Sequence, residues 1–436
     1  MALFPRRMLQ RLLRECRDVL PEANARAFAS AFNSPHKNSL ALQWELVLLA
    51  ALREIGGVQY EPDTGGEKKL DFLLHSPGFA PIGLEVTAVS DVYNEKRNPL
   101  EQFQKELIRR IARVGLRPSG YHLTIGNRVL DPDGKRTTLL ALPERKDIQS
   151  FFDAEFDAFL RNISNAPGAQ FQFRRWSDLL QVQIDYAPTN ALFTTFYSGL
   201  DATSLRDNSV FKALEKKAAK VRRSGFEGPA AIVLCDAGAC LFYQEPPIYS
   251  VILSAVVSEF LREHSEVSAV LAVLTYVNNK SLENRQPHVE VYENPCAAIP
   301  FSGGLLAQLR SLARRLPNLQ RDAFNAQALL GFTNGMAGLT HLGYKATLRG
   351  RMAKIKVSAR GIFALLSGTE DSHTLLARMS LAPNALWQNP INPFAGQYKT
   401  GARLVAVRIL ATPELDDDWI EFEFEGTDPA SGPIKP

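Results

Sequence analysis

Between residues 209 and 292 the chain alternates helix-length amphipathic stretches with short, almost wholly apolar runs, and this alternation constrains the fold more than any other feature. The pattern predicts helices over Ser209–Arg223 and Ile248–His264, with strands over Ala230–Cys235, Val267–Tyr276 and His288–Tyr292. A run such as AAIVLC has no polar face, so both sides of the strand must be covered. Strands of that kind set between helices belong to a mixed α/β sheet flanked by helices.

Upstream, residues 1–38 read as a helical segment broken near Asn33-Ser34-Pro35, and Leu40–Ile55 as a strongly apolar helix stopped by Gly56-Gly57. Strands are expected over Lys69–Leu74 and Ile82–Val89, a helix over Pro99–Val114 and a strand over Tyr121–Gly126. Residues 127–205 read as an insertion: a polar loop (DPDGKRTT), a helix over Asp147–Asn162, and strands over Gln170–Arg174 and Leu179–Tyr186. The turn-rich stretch NPCAAIPFSGG, 294–304, marks a boundary. The expected organisation is a helical segment 1–38, an α/β domain 39–295 and a C-terminal α+β domain 305–436. That last domain would hold a basic helix over Leu305–Leu316, strands near Lys345–Val357 and Leu404–Ala411, and the acidic arm DDDWIEFEFEG. Asp416, Asp417 and Asp418 read as a turn, and the glutamates of Trp419–Glu425 are expected to face water.

With 45% hydrophobic and 22% charged residues, the 436-residue chain can bury a large core, which excludes disorder as its main state. Fifty basic against 46 acidic residues leave +4, so any nucleic-acid surface has to be a local patch. Cys16, Cys235, Cys240 and Cys296 lack C-x-x-C spacing and the seven histidines are scattered, so neither a disulfide scaffold nor a structural zinc is expected. Apolar runs fall short of the ~18–20 residues that span a bilayer. The first twenty residues have no apolar signal core; they read as an amphipathic helix on a cytoplasmic protein. No G-x-S-x-G, Walker A or H-E-x-x-H motif occurs.

Three acids interrupt apolar segments in the first 90 residues. Glu45 lies in the helix LALQWELVLLAAL, Asp71 in KLDFLL and Glu85 in IGLEVTAV. A carboxylate buried on so apolar a helix needs a partner or a metal. Along the second strand Ile82, Leu84, Val86 and Ala88 share one face, while Glu85 and Thr87 share the other. A short turn between the two strands would bring Asp71 and Glu85 together, and a divalent cation would relieve their repulsion. With a backbone carbonyl, that of Val86, they make an oxygen site suited to Mg²⁺ or Mn²⁺. The plainer readings are a buried Glu45 satisfied by an arginine or a helix N-terminus, and Asp71 and Glu85 exposed on a half-buried sheet.

This order of helix Glu, strand Asp and Glu-x-Thr resembles the PD-(D/E)XK, or restriction-endonuclease-like, nuclease superfamily. The resemblance spans about residues 39–295 and implies a mixed sheet flanked by helices. Glu45 would be the helix acid, Asp71 the first strand acid and Glu85 the acid of the E-x-K element, with thirteen residues between Asp71 and Glu85. Thr87 stands where the family's catalytic lysine stands. Either the site is inactive or the lysine comes from elsewhere.

The helix VFKALEKKAAKVRR offers a replacement. Counting about 100° per residue from Val210, Leu214 falls at about 40°, Ala218 at about 80°, Val221 at about 20° and Lys217 at about 340°, among the apolar positions. Lys212, Lys216, Lys220 and Arg223 fall between about 200° and 280°, toward solvent. Lys217 is therefore the expected replacement and Lys69 the nearer alternative; the plain reading of Lys217 is a snorkelling side chain. Lys105, Arg109 and Arg113 recur at four-residue spacing on the helix over Pro99–Val114, where they could track phosphates or form a solvated face.

The resemblance implies a Mg²⁺-dependent endonuclease on nucleic acid, DNA in preference to RNA, that leaves a 5′-phosphate and a 3′-hydroxyl. By analogy it serves in defence against foreign or phage DNA, as a homo-oligomer or with a defence-system partner. The competing expectation is an inactive nuclease-fold nucleic-acid-binding protein, or a sensor or assembly component.

Overall fold

The computed structural model describes residues 3–33, 38–90, 99–116, 120–130, 137–188, 194–197, 202, 204–243, 251–275, 286–319, 344–349, 352–369, 393–399, 401–413 and 415–427. The polar loop at 131–136 and the start of the expected helix at Ile248 lie outside them. Three helices lead the chain: α1 (Arg6–Glu15), α2 (Glu22–Asn33) and α3 (Asn38–Arg53). Then come β1 (Gly57–Tyr60), β2 (Phe72–His75) and β3 (Ile82–Val89). After an inserted unit follow α7 (Ser209–Arg223), β10 (Ala230–Asp236), α8 (Leu253–Glu263), β11 (Ala269–Leu274), β12 (His288–Glu293) and α9 (Gly303–Arg310).

These strands form one six-stranded mixed sheet in the order β1-β2-β3-β10-β11-β12. β1, β2 and β3 run as an antiparallel meander, β3, β10 and β11 are parallel, and β12 closes the sheet antiparallel. All seven residues of β10 and all six of β11 are buried, as a sheet covered on both faces requires. Ile82, Leu84, Val86, Val233 and Leu271 pack on one face against α1 and α3. Ile232, Leu234, Val270 and Ala272 pack on the other against α7 and α8. The architecture is thus mixed α/β, as the alternation implies. The parallel step from β3 to β10 needs a crossover, and α7 provides it.

The ends of α7 are settled locally. At its start the Asn208 side chain accepts the Phe211 amide at 2.8 Å. At its end the residue at φ +69° is Gly225, which turns the chain out of the helix. The free carbonyls of the last turn are then taken by the loop that precedes β2: Thr64 Oγ1 donates to the Ser224 oxygen at 2.5 Å, and the Lys68 amide donates to the Arg223 oxygen at 3.1 Å. Gly66 rests directly on this turn, and a Cβ added there would stand 2.2 Å from the Ser224 carbonyl carbon. The loop that delivers Asp71 is therefore seated on the end of α7.

The inserted unit begins earlier than residue 127. It contains α4 (Leu100–Arg113), β4 (Tyr121–Ile125), β5 (Asn127–Leu130), β6 (Thr137–Leu140), α5 (Ile148–Phe151), α6 (Ala154–Asn165), β7 (Phe171–Trp176), β8 (Gln181–Tyr186) and β9 (Thr194–Tyr197). Phe103, Leu107 and Ile111 of α4 join Leu123, Phe156 and Ile184 in a core of their own. Periodicity finds the helix but says nothing about which core receives its apolar face.

Two expectations for the C-terminal part also change. The helix expected over Leu305–Leu316 is α9 followed by a 3₁₀ turn, and Leu305, Leu309, Leu312 and Leu316 belong to the core of the large sheet. Beyond it, β13 (Tyr344–Arg349), β14 (Met352–Ser358), α10 (Ala359–Leu366), α11 (Pro393–Lys399), β15 (Ala402–Leu410) and β16 (Trp419–Thr427) include an antiparallel sheet ordered β13-β14-β16-β15. Glu421 and Glu423 do not face water: both are buried, and Arg408, Lys354 and, for Glu421, Lys356 pair with them across the strands. Asp416 accepts the Arg6 and Arg7 amides, each at 2.9 Å, and so caps α1. Asp417 does the same for the Arg360 amide at 3.0 Å in the first turn of α10. No helix among the described residues is long and apolar enough to cross a membrane.

Gly66→Ala forces a Cβ into the backbone of the α7 turn, so it should cost about 2 kcal/mol, the range for overpacking a tight contact. Urea denaturation measures this. A change under about 0.5 kcal/mol, the scatter of neutral surface substitutions, would mean that the loop is not seated there.

Candidate active site

β2 is short, and this opens the site. The antiparallel ladder between β2 and β3 ends at the Phe72–Leu84 pair, where the chain preceding β2 turns away. Past Leu84 no strand among the described residues lies beside the outer edge of β3, and the Asp71 side chain fills the gap: Oδ2 accepts the Val86 amide at 2.7 Å. Glu85 reciprocates, its Oε1 accepting the Asp71 amide at 3.2 Å. The N–H and C=O of one strand residue leave on the same edge, so the Val86 carbonyl faces this opening too.

Glu85 points to the opposite face from Leu84 and Val86, under α7, and its side chain is fully buried. Lys217 meets it there. Its Nζ donates to Glu85 Oε2 at 2.7 Å and to Asp71 Oδ2 at 2.8 Å. The core-facing lysine of α7 thus reaches both strand acids, as its place on the helix wheel requires. Lys220, expected toward solvent, reaches them as well: its Nζ lies 2.6 Å from Asp71 Oδ1 and 2.9 Å from Glu85 Oε1. One turn from Lys217, it starts at the rim of the buried face, and its four-carbon stem covers the remaining distance. That position on the wheel is the signal that could have found it. Lys69, the nearer alternative, is exposed. Thr87 is a half-buried strand residue in register with Leu234 of β10.

Glu45 lies half-buried on α3, and Tyr60 at the end of β1 donates to its Oε1 at 2.7 Å. Tyr60 escaped the sequence reading because GVQY is too short a run to stand out beside Gly56-Gly57. Gln43, the other polar residue of this helix, has a structural duty: its Oε1 accepts the Leu3 amide at 2.9 Å. The third acid and the pair are close enough to influence one another. Burial pushes the Glu45 carboxyl up to about 7; the Tyr60 hydrogen bond opposes this, the Asp71 charge adds to it and the Lys217 charge works against it. Burial and the Asp71 charge also push Glu85 up to about 7, against the pull of Lys217 and Lys220. Asp71 goes the other way: burial opposes its ionisation, but the two ammonium charges hold it below the usual carboxylate value. The pair thus splits into an ionised Asp71 and a Glu85 poised near neutrality, the kind of separation that acid–base sites employ.

The donor set fits a divalent cation. Four hard carboxylate oxygens converge on a region that already holds two units of positive charge, carried by two ammonium groups. A Mg²⁺ or Mn²⁺ ion brings the same charge and prefers the same oxygens. Asp71, Glu85 and the Val86 carbonyl are the residues that would hold it. The expected phosphate-tracking stripe belongs to the inserted unit: Lys105, Arg109 and Arg113 lie exposed on α4, and Arg109 pairs with Glu106 at 2.6 Å. Glu106 thereby removes part of the positive field that the spacing alone suggested.

A raised carboxyl pKa carries a sign. Glu45 holds its proton from the ordinary 4.5 up to about 7 in the native state, so native stability falls as pH climbs through that window. Glu45→Gln keeps an acceptor for Tyr60 and removes the charge. It should raise stability by about 1 kcal/mol at pH 8, and the gain should vanish below about pH 5. Chemical denaturation at the two pH values decides; a loss of stability at pH 8 would show that the ionised carboxylate is favoured where it lies.

Compared with family models, with curated proteins and with solved structures, the chain matches none, and the chemistry of the site stands on its geometry.

Proposed function

We propose that the chain is a metal-dependent nuclease of the restriction-endonuclease-like kind, hydrolysing phosphodiester bonds of nucleic acid, DNA in preference to RNA. The observation that carries this reading is the meeting of Asp71, Glu85 and Lys217 at the open edge of β3. The resemblance asks for a helix acid, two strand acids and a lysine; Lys217 meets Asp71 and Glu85, and the Glu45 carboxyl feels the Asp71 and Lys217 charges. Lys217 is the lysine assigned here to the place that Thr87 leaves open.

Asp71, Glu85 and the Val86 carbonyl would hold a divalent cation, which would supply the charge to polarise a phosphoryl oxygen and acidify water. Lys217, fixed by two hydrogen bonds, neutralises charge building on the attacked phosphate. Glu45, poised near neutrality and oriented by Tyr60, accepts a proton from the attacking water. Water oxygen bonds to phosphorus as the bond to the 3′ oxygen breaks, and that oxygen takes a proton from solvent water, leaving a 5′-phosphate and a 3′-hydroxyl. A cytoplasmic role in defence against foreign DNA, as an oligomer or with a partner protein, suits such an activity by analogy with proteins of this build.

The test is incubation of purified protein with supercoiled plasmid and single-stranded DNA, with and without Mg²⁺ or Mn²⁺, beside Glu85→Gln and Lys217→Met. Metal-dependent cutting should fall at least about 100-fold in both variants, the usual cost of one transition-state contact. Metal-dependent cutting that survives Lys217→Met moves the lysine role elsewhere. Lack of cutting with either metal, in protein that binds DNA, favours the inactive nucleic-acid-binding reading.

A further inference from the structure

The site has one lysine more than the chemistry above employs. Between them the two ammonium groups engage all four oxygens of Asp71 and Glu85, Lys217 taking one oxygen of each and Lys220 the other. A divalent cation needs oxygens from the same two carboxylates, so a lysine has to yield when one binds. The two are not equally able to do so. Lys217 projects from the face of α7 that carries buried Leu214, Ala218 and Val221, with 17% of its side chain exposed. Withdrawing it would strand an ammonium among apolar groups. Lys220 sits at the rim with 27% exposed, and its stem can carry the charge into water.

The charges point the same way. With both carboxylates ionised, they and the two ammonium groups sum to zero. Exchange Lys220 for a divalent ion and the sum is +1, which one phosphodiester group cancels. The released ammonium remains beside the site, next to a polyanion.

We propose that Lys220 is an exchangeable counter-ion and substrate contact. It neutralises Asp71 and Glu85 in the metal-free protein, gives up their oxygens when a divalent cation binds, and then grips a phosphate of the nucleic acid next to the one attacked. This assignment rests on the nuclease reading of the site. It also makes the metal-free protein a poorer binder of DNA at this site, because the Lys220 ammonium is engaged internally.

Two measurements test it, neither of which relies on cleavage. Calorimetric titration with Mn²⁺ should show Lys220→Met binding the ion at least about tenfold tighter than the unaltered protein, a gain of about 1.4 kcal/mol. Lysine labelling of the unaltered protein with an amine-reactive reagent, read by mass spectrometry, should show Lys220 several times more reactive with Mn²⁺ than without, and Lys217 protected in both. If the unaltered protein binds Mn²⁺ but Lys220→Met binds it no tighter, or Lys220 labelling ignores the ion, Lys220 is a fixed structural partner and the proposal fails. If the unaltered protein binds no Mn²⁺ at all, the nuclease reading fails and takes the proposal with it. Should Lys220→Met not fold, as circular dichroism would show, the labelling of the unaltered protein decides alone.

Discussion

The buried carboxylate of Glu85 governs this structure. It stands on the central strand pair of the large sheet, wholly out of water, and a charge so placed is tolerable only with partners. Those partners come from two other parts of the chain: the ammonium groups of Lys217 and Lys220 on α7, and the backbone amide of Asp71 in the loop before β2. Meeting that one need fixes the depth of α7 over β3 and the place where β2 stops. The hydrogen bonds of the 61–71 loop to the end of α7 hold the arrangement from the far side.

Much of this was legible from the order of residues. The two-sided burial of Ala230–Cys235 announces a covered sheet. The acids Asp71 and Glu85 in apolar runs point to a candidate site, although Asp71 lies just ahead of β2 rather than within it, and the inward angle of Lys217 points to their cation. What stayed hidden has a common cause, the reach of side chains across elements. Lys220 sits at a wheel angle that reads as solvent-facing, yet its stem reaches both acids. Glu421 and Glu423 alternate as if exposed, but strands on both sides bring Lys354, Lys356 and Arg408 to cover them. The membership of α4 in the inserted core, and of α9 in the main one, depends on tertiary partners that no local pattern names.

The site and the accessory parts are built on different terms. The large sheet is sealed by aliphatic residues on both faces and supports its acids from below. The inserted unit has a separate core rich in phenylalanine, with Phe151, Phe152, Phe156 and Phe173 in edge contacts and Phe159 tilted against Phe156 and Phe173. It is spliced between β3 and α7, the two elements that carry Glu85 and Lys217. A unit with its own core can vary there without disturbing the strand pair, because the crossover is completed by α7 rather than by the insertion.

The cap on the first helix lies far along the chain. The amides of Arg6 and Arg7 are held by Asp416, which for Arg6 is 410 positions away. Amino acids are joined at about 5–20 per second during synthesis, so α1 waits roughly 20–80 s for the residue that completes its first turn. Through that interval α1 has its packing surface but not its cap, and a segment made hundreds of residues earlier waits on a later one to be finished.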